Sequence, residues 1–560
     1  MLATLPTRLS RFRTVGELRL LDRYRILGLA GSLALAVGGI AAGALPRDDP
    51  FSRFRVVGWM RASEPLALAV GYAGLALLVV AWLFLGRRIG TPDGPGRRSL
   101  LVTLGVWSAP LCLAPPMFSR DVYSYGAVGW MVHAGASPYF WGPGAIPDNP
   151  YLVDVPDLWS HTPTPYGPAF LQLARWVVDL TGDRTVPTVL GMRLIALVGV
   201  LLLVRYVPRL ATLCGVPAGR ALWLGVLNPL VLFHFVSGAH NDALLMGLMV
   251  AGLVLVMERR PAPGILLVSL AMLVKAPAAL ALVFIVPFWA QHLTGRWRLV
   301  RAAAGVGAIS GAVVALVSWA TGLGYGWIGA LNTPGTVRNW LSVSTLIGEA
   351  VGFVFQVFGV GDDRYMMDQS IAVSRGIGGL TAIVIVLVLL ARMDRRGFVA
   401  SLGLGLVAVV ALSPVVQPWY LLWGFVLIAA GTSTLRTRTI VIAASAALAV
   451  VVMPKGGTVD VSAIIQAVLC AAAVAGAVVL FELLPGRSAS ARAADAVTGP
   501  VLGGPRPPAE AHAGPRLAAD AHTGSRLAAD VHAGPRPLAD GGPVPAVDAA
   551  AGRAVVVPDS

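Results

Sequence analysis

FSRDVYSYGAVGWMVHAG at 118–135, SPYFWGPGAIPDNPY at 137–151 and LWSHTPTPYGPAFLQLARW at 158–176 make up most of a polar, aromatic insert between hydrophobic runs. From Phe118 to Arg184 this insert holds twelve aromatic residues in 67 positions, more than twice the chain-wide share of 8%, and that density argues against disorder. It also carries six Asp and eight Pro, so it is not another spanning segment. Ordered connections of such length are uncommon unless they carry function. The insert therefore reads as an ordered, membrane-hugging loop that holds the chemistry.

Working outward, apolar runs flank the loop on both sides. The chain is 56% hydrophobic and 13% charged, with a mean hydropathy of +0.74. A bilayer core of about 30 Å needs roughly 20 apolar residues per helix, and only helices or closed barrels pair every backbone group inside it. The fold class is thus an all-α polytopic membrane protein. Spans are expected at 26–46, 64–86, 99–117, 185–204, 221–238 and 243–258. Residues 262–290 suit two short helices meeting at Lys275-Ala276-Pro277 on the outer side. Further spans are expected at 299–320 and 372–391, two more flank VVQPWY, and the last two fall at 438–454 and 461–484. That makes about fourteen, with both termini inside. Within a second long outer segment, 321–370, an apolar stretch too short to span comfortably reads as re-entrant or interfacial.

The formal charge of +15 does not signal nucleic-acid binding, because the basic residues sit in short loops between apolar runs. Inner segments hold roughly 23 Lys and Arg against roughly 12 in the longer outer ones, the bias that orients a polytopic protein. The outer loop at 47–61, with four Arg, runs against it. The N-terminal run resembles a signal peptide but exceeds the usual apolar length of one, so it reads as a retained first span. Cys112, Cys214 and Cys470 lie too far apart to suggest a metal site or a disulfide framework. Residues 1–485 are expected to form the membrane domain. Residues 486–560 repeat a decapeptide, PRLAADAHTG then SRLAADVHAG, and read as a low-complexity cytoplasmic tail. His512, His522 and His532 recur with that repeat, and repeat expansion explains them better than a metal does.

Several residues could carry chemistry. Ser119-Arg120-Asp121 reads as a helix start, with Ser119 as N-cap, and equally as a site for Asp121 as general base. His240-Asn241-Asp242 falls where two spans turn; it exceeds what a cap needs and could bind acceptor hydroxyls or a cation. Lys275 interrupts an apolar run, so it either snorkels or meets a phosphate as a point charge. Arg338 is a similar candidate, with Trp340 nearby for a lipid or sugar face. Arg193 would pair an acid or mark a boundary. Gln417-Pro418-Trp419-Tyr420 reads as a helix start within the interfacial aromatic belt. No Walker loop, GxGxxG, HExxH or CxxC occurs in a usable context, which leaves a cytosolic nucleotide-sugar site without support. A donor arriving within the membrane remains.

FSRDVYSYGAVG, TPTPYGP, GAHNDALL, VKAPAALAL and RNWLSVST, in this order over roughly 100–430, together resemble the polyprenyl-phosphomannose-dependent α-1,6-mannosyltransferases, the MptA and MptB family. The resemblance implies a GT-C glycosyltransferase fold in the plasma membrane with its active site on the outer face. It implies polyprenyl-phosphate β-mannose as donor and a lipid-anchored α-1,6-mannan as acceptor, as in lipomannan and lipoarabinomannan. A β donor giving an α product requires inversion by single displacement with one base. Asp121 matches the family's loop acid; Lys275, Arg338 and Arg120 would meet the donor phosphate. Tyr123, Tyr125, Tyr166 and Trp340 would stack on sugar. His240, Asn241 and Asp242 would bind acceptor or a divalent cation, the one candidate cofactor. Two rivals stay open: a GT-C enzyme for arabinosyl transfer or protein O-mannosylation, and a secondary transporter, whose internal repeats are not evident here.

Overall fold

A computed structural model describes residues 15–451 apart from 63, 92 and 93, together with residue 456. The expected last span at 461–484 and the repeat tail lie outside the described residues.

Among the described residues the fold is all-helical. The first helices are α1 (Val15–Ala42), α2 (Arg55–Ala62), α3 (Glu64–Arg87) and α4 (Arg97–Leu113). α1 and α3 lie so close that a Cβ on Gly31 would meet the Gly74 carbonyl oxygen at 2.7 Å, the small-residue contact by which apolar helices gain packing. α4 stops at Leu113 because Pro115 and Pro116 follow, four residues before the expected end of its span.

The insert is largely helical rather than a loop. α5 (Asp121–His133), the single turn α6 (Asp157–Ser160) and α7 (Pro168–Thr181) account for much of it. α5 is buried on nearly every face, so Tyr123 and Tyr125 pack inward instead of lying on a membrane surface. α8 (Thr185–Leu213) follows, then α9 (Ala218–Gly225).

The expected span at 221–238 is broken. α9 ends at Gly225, Pro229 removes a donor, and Asn228 bonds the Leu230 N–H at 2.9 Å. The chain resumes as a seven-residue π-helix, Val231–Ser237, and then bends by 109° into α10 (Asp242–Met257). A π-helix of this kind is often found at a functional site. α11 (Pro261–Val274) and α12 (Ala279–Ala290) meet at Lys275, as the interrupted apolar run predicts.

Next come α13 (Arg298–Thr321), the single turn α14 (Gly326–Gly329), α15 (Val343–Val357) and α16 (Asp363–Ala391). α16 begins nine residues before the expected span, because Asp362 accepts the Tyr365 N–H and starts the helix inside the polar stretch. α15 is the short apolar element expected within 321–370, and it packs on α16. The last elements are the short α17 (Met393–Arg396), then α18 (Phe398–Ala411), α19 (Leu422–Gly431) and α20 (Leu435–Val451).

Among the described residues five helices are long and apolar enough to cross a membrane, or six if the bent pair counts as one span. The other apolar helices, such as α11, α15 and α18, have 10–17 residues. The sequence reading turns each apolar run into a span, whereas the helices at the centre end early, at Pro and at polar turns. Those early ends converge to form the site.

Candidate active site

Asp121 is the first residue of α5 and lines a cavity of about 190 Å³. Its backbone N–H donates to Ser119 Oγ at 3.0 Å. Ser119 thus fulfils the capping role expected of it from one position further out, since Arg120 occupies the N-cap. A helix places residues i, i+3, i+4 and i+7 on one face, and Asp121, Ser124 and Val128 all line the cavity while Tyr125 packs beside them.

The same periodicity removes Tyr123, two residues on from Asp121. Its hydroxyl donates to the Ala44 carbonyl at 2.5 Å, and the Arg120 guanidinium covers its ring at 5.1 Å. Its ring is therefore not open to a sugar, against the expectation. Arg120 itself donates to the Asp154 carbonyl at 3.2 Å, and Asp154 Oδ1 accepts the Arg47 N–H at 2.7 Å. Asp154, which the sequence reading passed over, thereby ties the α1–α2 connection to the head of α5.

Lys275 is buried behind the aromatic wall that Tyr166, Tyr420 and Trp423 form. Its Nζ lies 2.9 and 3.0 Å from the two carboxylate oxygens of Asp242, and Trp423 Nε1 donates to the same carboxylate at 2.8 Å. The ammonium sits over the Tyr420 ring at 4.3 Å and the Trp423 ring at 5.5 Å. It is neither snorkelling nor free, and Asp242 is taken up as its partner rather than as a helix cap. Tyr166 reaches the wall through backbone: its strand-like pairing with Lys275 is continued by a Gly167 N–H to Val274 carbonyl bond of 3.2 Å. The approach is so close that a Cβ at Gly167 would stand 2.1 Å from the Leu273 oxygen. Gly167→Ala should therefore lose about 1–3 kcal/mol or more through overpacking against backbone, and displace Tyr166. Thermal unfolding and transfer rate both read this, and a variant unchanged in both would refute the contact.

Tyr125 is buried and points its hydroxyl at His240 Nδ1 (3.4 Å) and Asn241 Oδ1 (3.5 Å). His240 Nδ1 stands 3.6 Å from Asp121 Oδ2. The His240 ring stacks on Trp419 at a centroid distance of 4.0 Å. Trp419 is 4% exposed, so it belongs to the interior and not to an interfacial belt. Trp419, Tyr420 and Trp423 are the site residues that sequence reasoning missed. The signal was a QPWY run between two apolar segments, which belt residues explain equally well.

Arg193 pairs with no acid. It donates to the carbonyls of Cys112, Ala114 and Ser237 at 2.6, 3.0 and 2.9 Å, holding the end of α4 to the end of the π-helix. Arg338 is not brought to the cavity wall: it pairs with Asp368 at 2.7 Å, both half-exposed. Thr333 and Pro334, a few residues before it, do line the cavity. Trp340 is partly buried and outside the lining. Among the described residues, no three His, Cys, Asp or Glu side chains converge as metal ligands would.

Burial pushes the Asp121 carboxyl up to about 6, with the Lys275 charge and the Ser119 hydrogen bond opposing and the Asp242 charge assisting. Such a group is ionised at neutral pH yet basic enough to take a proton.

Comparison with known proteins places this geometry. The N-terminal-domain profile of alpha-(1->6)-mannopyranosyltransferases matches residues 25–291, which contain Asp121, His240, Asp242 and Lys275. The MptB C-terminal-domain profile matches residues 344–481. A Mycolicibacterium smegmatis protein named "probable alpha-(1->6)-mannopyranosyltransferase" is 37% identical, over 74% of this chain and 80% of its own length. The chain belongs to the alpha-(1->6)-mannopyranosyltransferase family. Similar relatives are alpha-(1->6)-mannopyranosyltransferase A of Mycobacterium tuberculosis, 35% identical over 77% of this chain and 84% of its own, and alpha-(1->6)-mannopyranosyltransferase B of Corynebacterium glutamicum, 32% identical over 77% of each.

Proposed function

We propose that this chain is an inverting mannosyltransferase that moves mannose from polyprenyl-phosphate β-mannose to the 6-hydroxyl of an α-1,6-mannan core. The observation that carries the reading is Asp121, a carboxylate lining a cavity whose aromatic wall, Tyr166, Tyr420 and Trp423, packs against the buried Lys275 ammonium. In this mechanism the acceptor oxygen attacks the anomeric carbon while the bond from that carbon to the phosphate oxygen breaks. The hydroxyl proton passes to Asp121, and the polyprenyl phosphate departs with the bonding pair. Negative charge then grows on the phosphate, where the charge of the Lys275 ammonium, held in place by Asp242 and Tyr420, stabilises it. Arg120, tied to Asp154, and Arg338, paired with Asp368, stand outside the cavity lining and take no part in this step. Tyr166 offers an aromatic face to a sugar, and Asn241 reaches the reaction through Tyr125.

The same reading holds the chain to be a GT-C enzyme with about fourteen spans, an outer-face active site, and a lipid-anchored mannan acceptor of the lipomannan and lipoarabinomannan type. Its support is the run of apolar helices and the family of α-(1→6) enzymes. The test uses purified protein in liposomes with radiolabelled polyprenyl-phosphate mannose and a short α-1,6-mannoside. We expect a product longer by one or more α-1,6-linked mannoses, and no product when GDP-mannose replaces the lipid donor. Transfer from the nucleotide sugar alone, or another linkage, would overturn the reading.

A further inference from the structure

Two strained turns frame the site. Of the three non-glycine residues with positive φ among the described residues, Phe118 (68°) and Ala239 (56°) come just before the two groups that face each other, Asp121 and His240. The left-handed conformation costs a non-glycine residue about 1–3 kcal/mol and persists where the surroundings over-determine it, most often at functional sites. Here the two turns brace one another. The Phe118 ring stacks on Phe233 of the π-helix at 5.1 Å, and a Cβ on Gly238 would stand 3.2 Å from the Met117 oxygen. Arg193 holds the same junction from behind, through the Ala114 and Ser237 carbonyls.

We propose that His240 is a positioning residue for Asp121, acting through a hydrogen bond from its Nδ1–H to Asp121 Oδ2, and that it is neither an acceptor-binding nor a metal-binding group. This inference rests on the base reading of Asp121. His240 is fully buried, so no acceptor can reach it. Its Nε2 has no polar partner, whereas Nδ1 faces both Asp121 and the Tyr125 hydroxyl. That favours the tautomer protonated on Nδ1. A proton on Nε2 would leave a buried donor unpaired and turn a lone pair toward a carboxylate, whereas a proton on Nδ1 gives the carboxylate a donor. The 3.6 Å separation is just beyond hydrogen-bond distance, and the proposal requires it to shorten when substrate fills the cavity, as catalytic hydrogen bonds often do on complex formation. The stack on Trp419 and the Tyr125 hydroxyl hold the ring in this orientation.

The charged and titratable groups around Asp121 are Lys275, Asp242, His240 and the hydroxyls of Tyr125, Tyr166 and Tyr420. Of these, Lys275 and His240 favour the carboxylate form. Removing the His240 donor therefore moves the acid limb of the kcat profile to higher pH. The experiment compares His240→Phe, which keeps the stack on Trp419, with His240→Asn, whose amide N–H occupies nearly the place of Nδ1–H. For His240→Phe we expect kcat to fall about 10- to 100-fold, as for loss of one hydrogen bond to a charged group, with acceptor KM unchanged and the acid limb raised. His240→Asn should recover most of kcat and the original limb. The role is overturned if His240→Phe keeps wild-type kcat and pH profile, if it changes only acceptor KM, or if a folded His240→Asn is no better than His240→Phe. Should His240→Phe not fold, the limb of His240→Asn decides, unshifted in support or raised against. Asp121→Asn, measured alongside, separates the two failures. Retained transfer there sinks the base reading, whereas its loss beside an unimpaired His240→Phe sinks only the positioning role.

Discussion

Asp121→Asn should lower mannosyl transfer by about 10²- to 10⁴-fold, the share a positioned general base contributes. The substitution keeps the side-chain shape and the backbone N–H that donates to Ser119 Oγ, so α5 should start where it does now. It removes a partly buried charge whose nearest donor, the Ser119 hydroxyl, an amide oxygen can also accept from, so folding should not suffer. What is lost is the ability to accept a proton. The wild-type enzyme carries a matching signature. Burial raises the folded pKa from 3.8 to about 6, so the ionised base is abundant above that value and disappears as pH falls through it. The kcat/KM profile, which reports the free enzyme, should show this limb near 6, and Asp121→Asn should flatten it. Near wild-type transfer by the variant, with the limb intact, would move the base elsewhere.

Lys275→Met should damage the fold as well as the reaction. The Asp242 carboxylate is fully buried, and without the ammonium its remaining partner is the Trp423 N–H. Leaving one member of a buried pair uncompensated costs about 3–5 kcal/mol, whereas replacing both members is often neutral. The single variant should therefore unfold at markedly lower temperature in detergent, and Lys275→Met/Asp242→Asn should regain most of that loss. Transfer should not return with it. A cation opposite the departing phosphate contributes about 10²- to 10³-fold, and the double variant has none at that position. Stability restored together with full activity would reduce Lys275 to a packing element. A single variant as stable as wild type would show that Asp242 is not left uncompensated.

The sequence by itself determined the features that depend on neighbours in the chain. Asp121 opens a helix because Ser119 precedes it, and the interrupted apolar run breaks at Lys275 because a cation and Pro277 end α11 there. The five ordered motifs also sufficed to indicate the family, since each is a local pattern and together they are specific. Tyr123 was separable from Tyr125 in principle: two residues along a helix turn side chains to nearly opposite faces, so both could not serve one site.

Only the tertiary structure decided the partners. Asp242, 33 residues from Lys275, and Trp423, 181 residues from Asp242, meet because α10, α11 and α19 all terminate at one polar junction. Nothing in a local window distinguishes a carboxylate that caps its own helix from one that neutralises a cation on another. The same holds for Trp419, whose neighbours suggest an interfacial belt until the broken 231–242 segment brings His240 against it. Helix bounds differed for a related reason: an apolar run measures only transfer free energy, whereas helix length also depends on where Pro, strained turns and buried polar pairs end the backbone ladder.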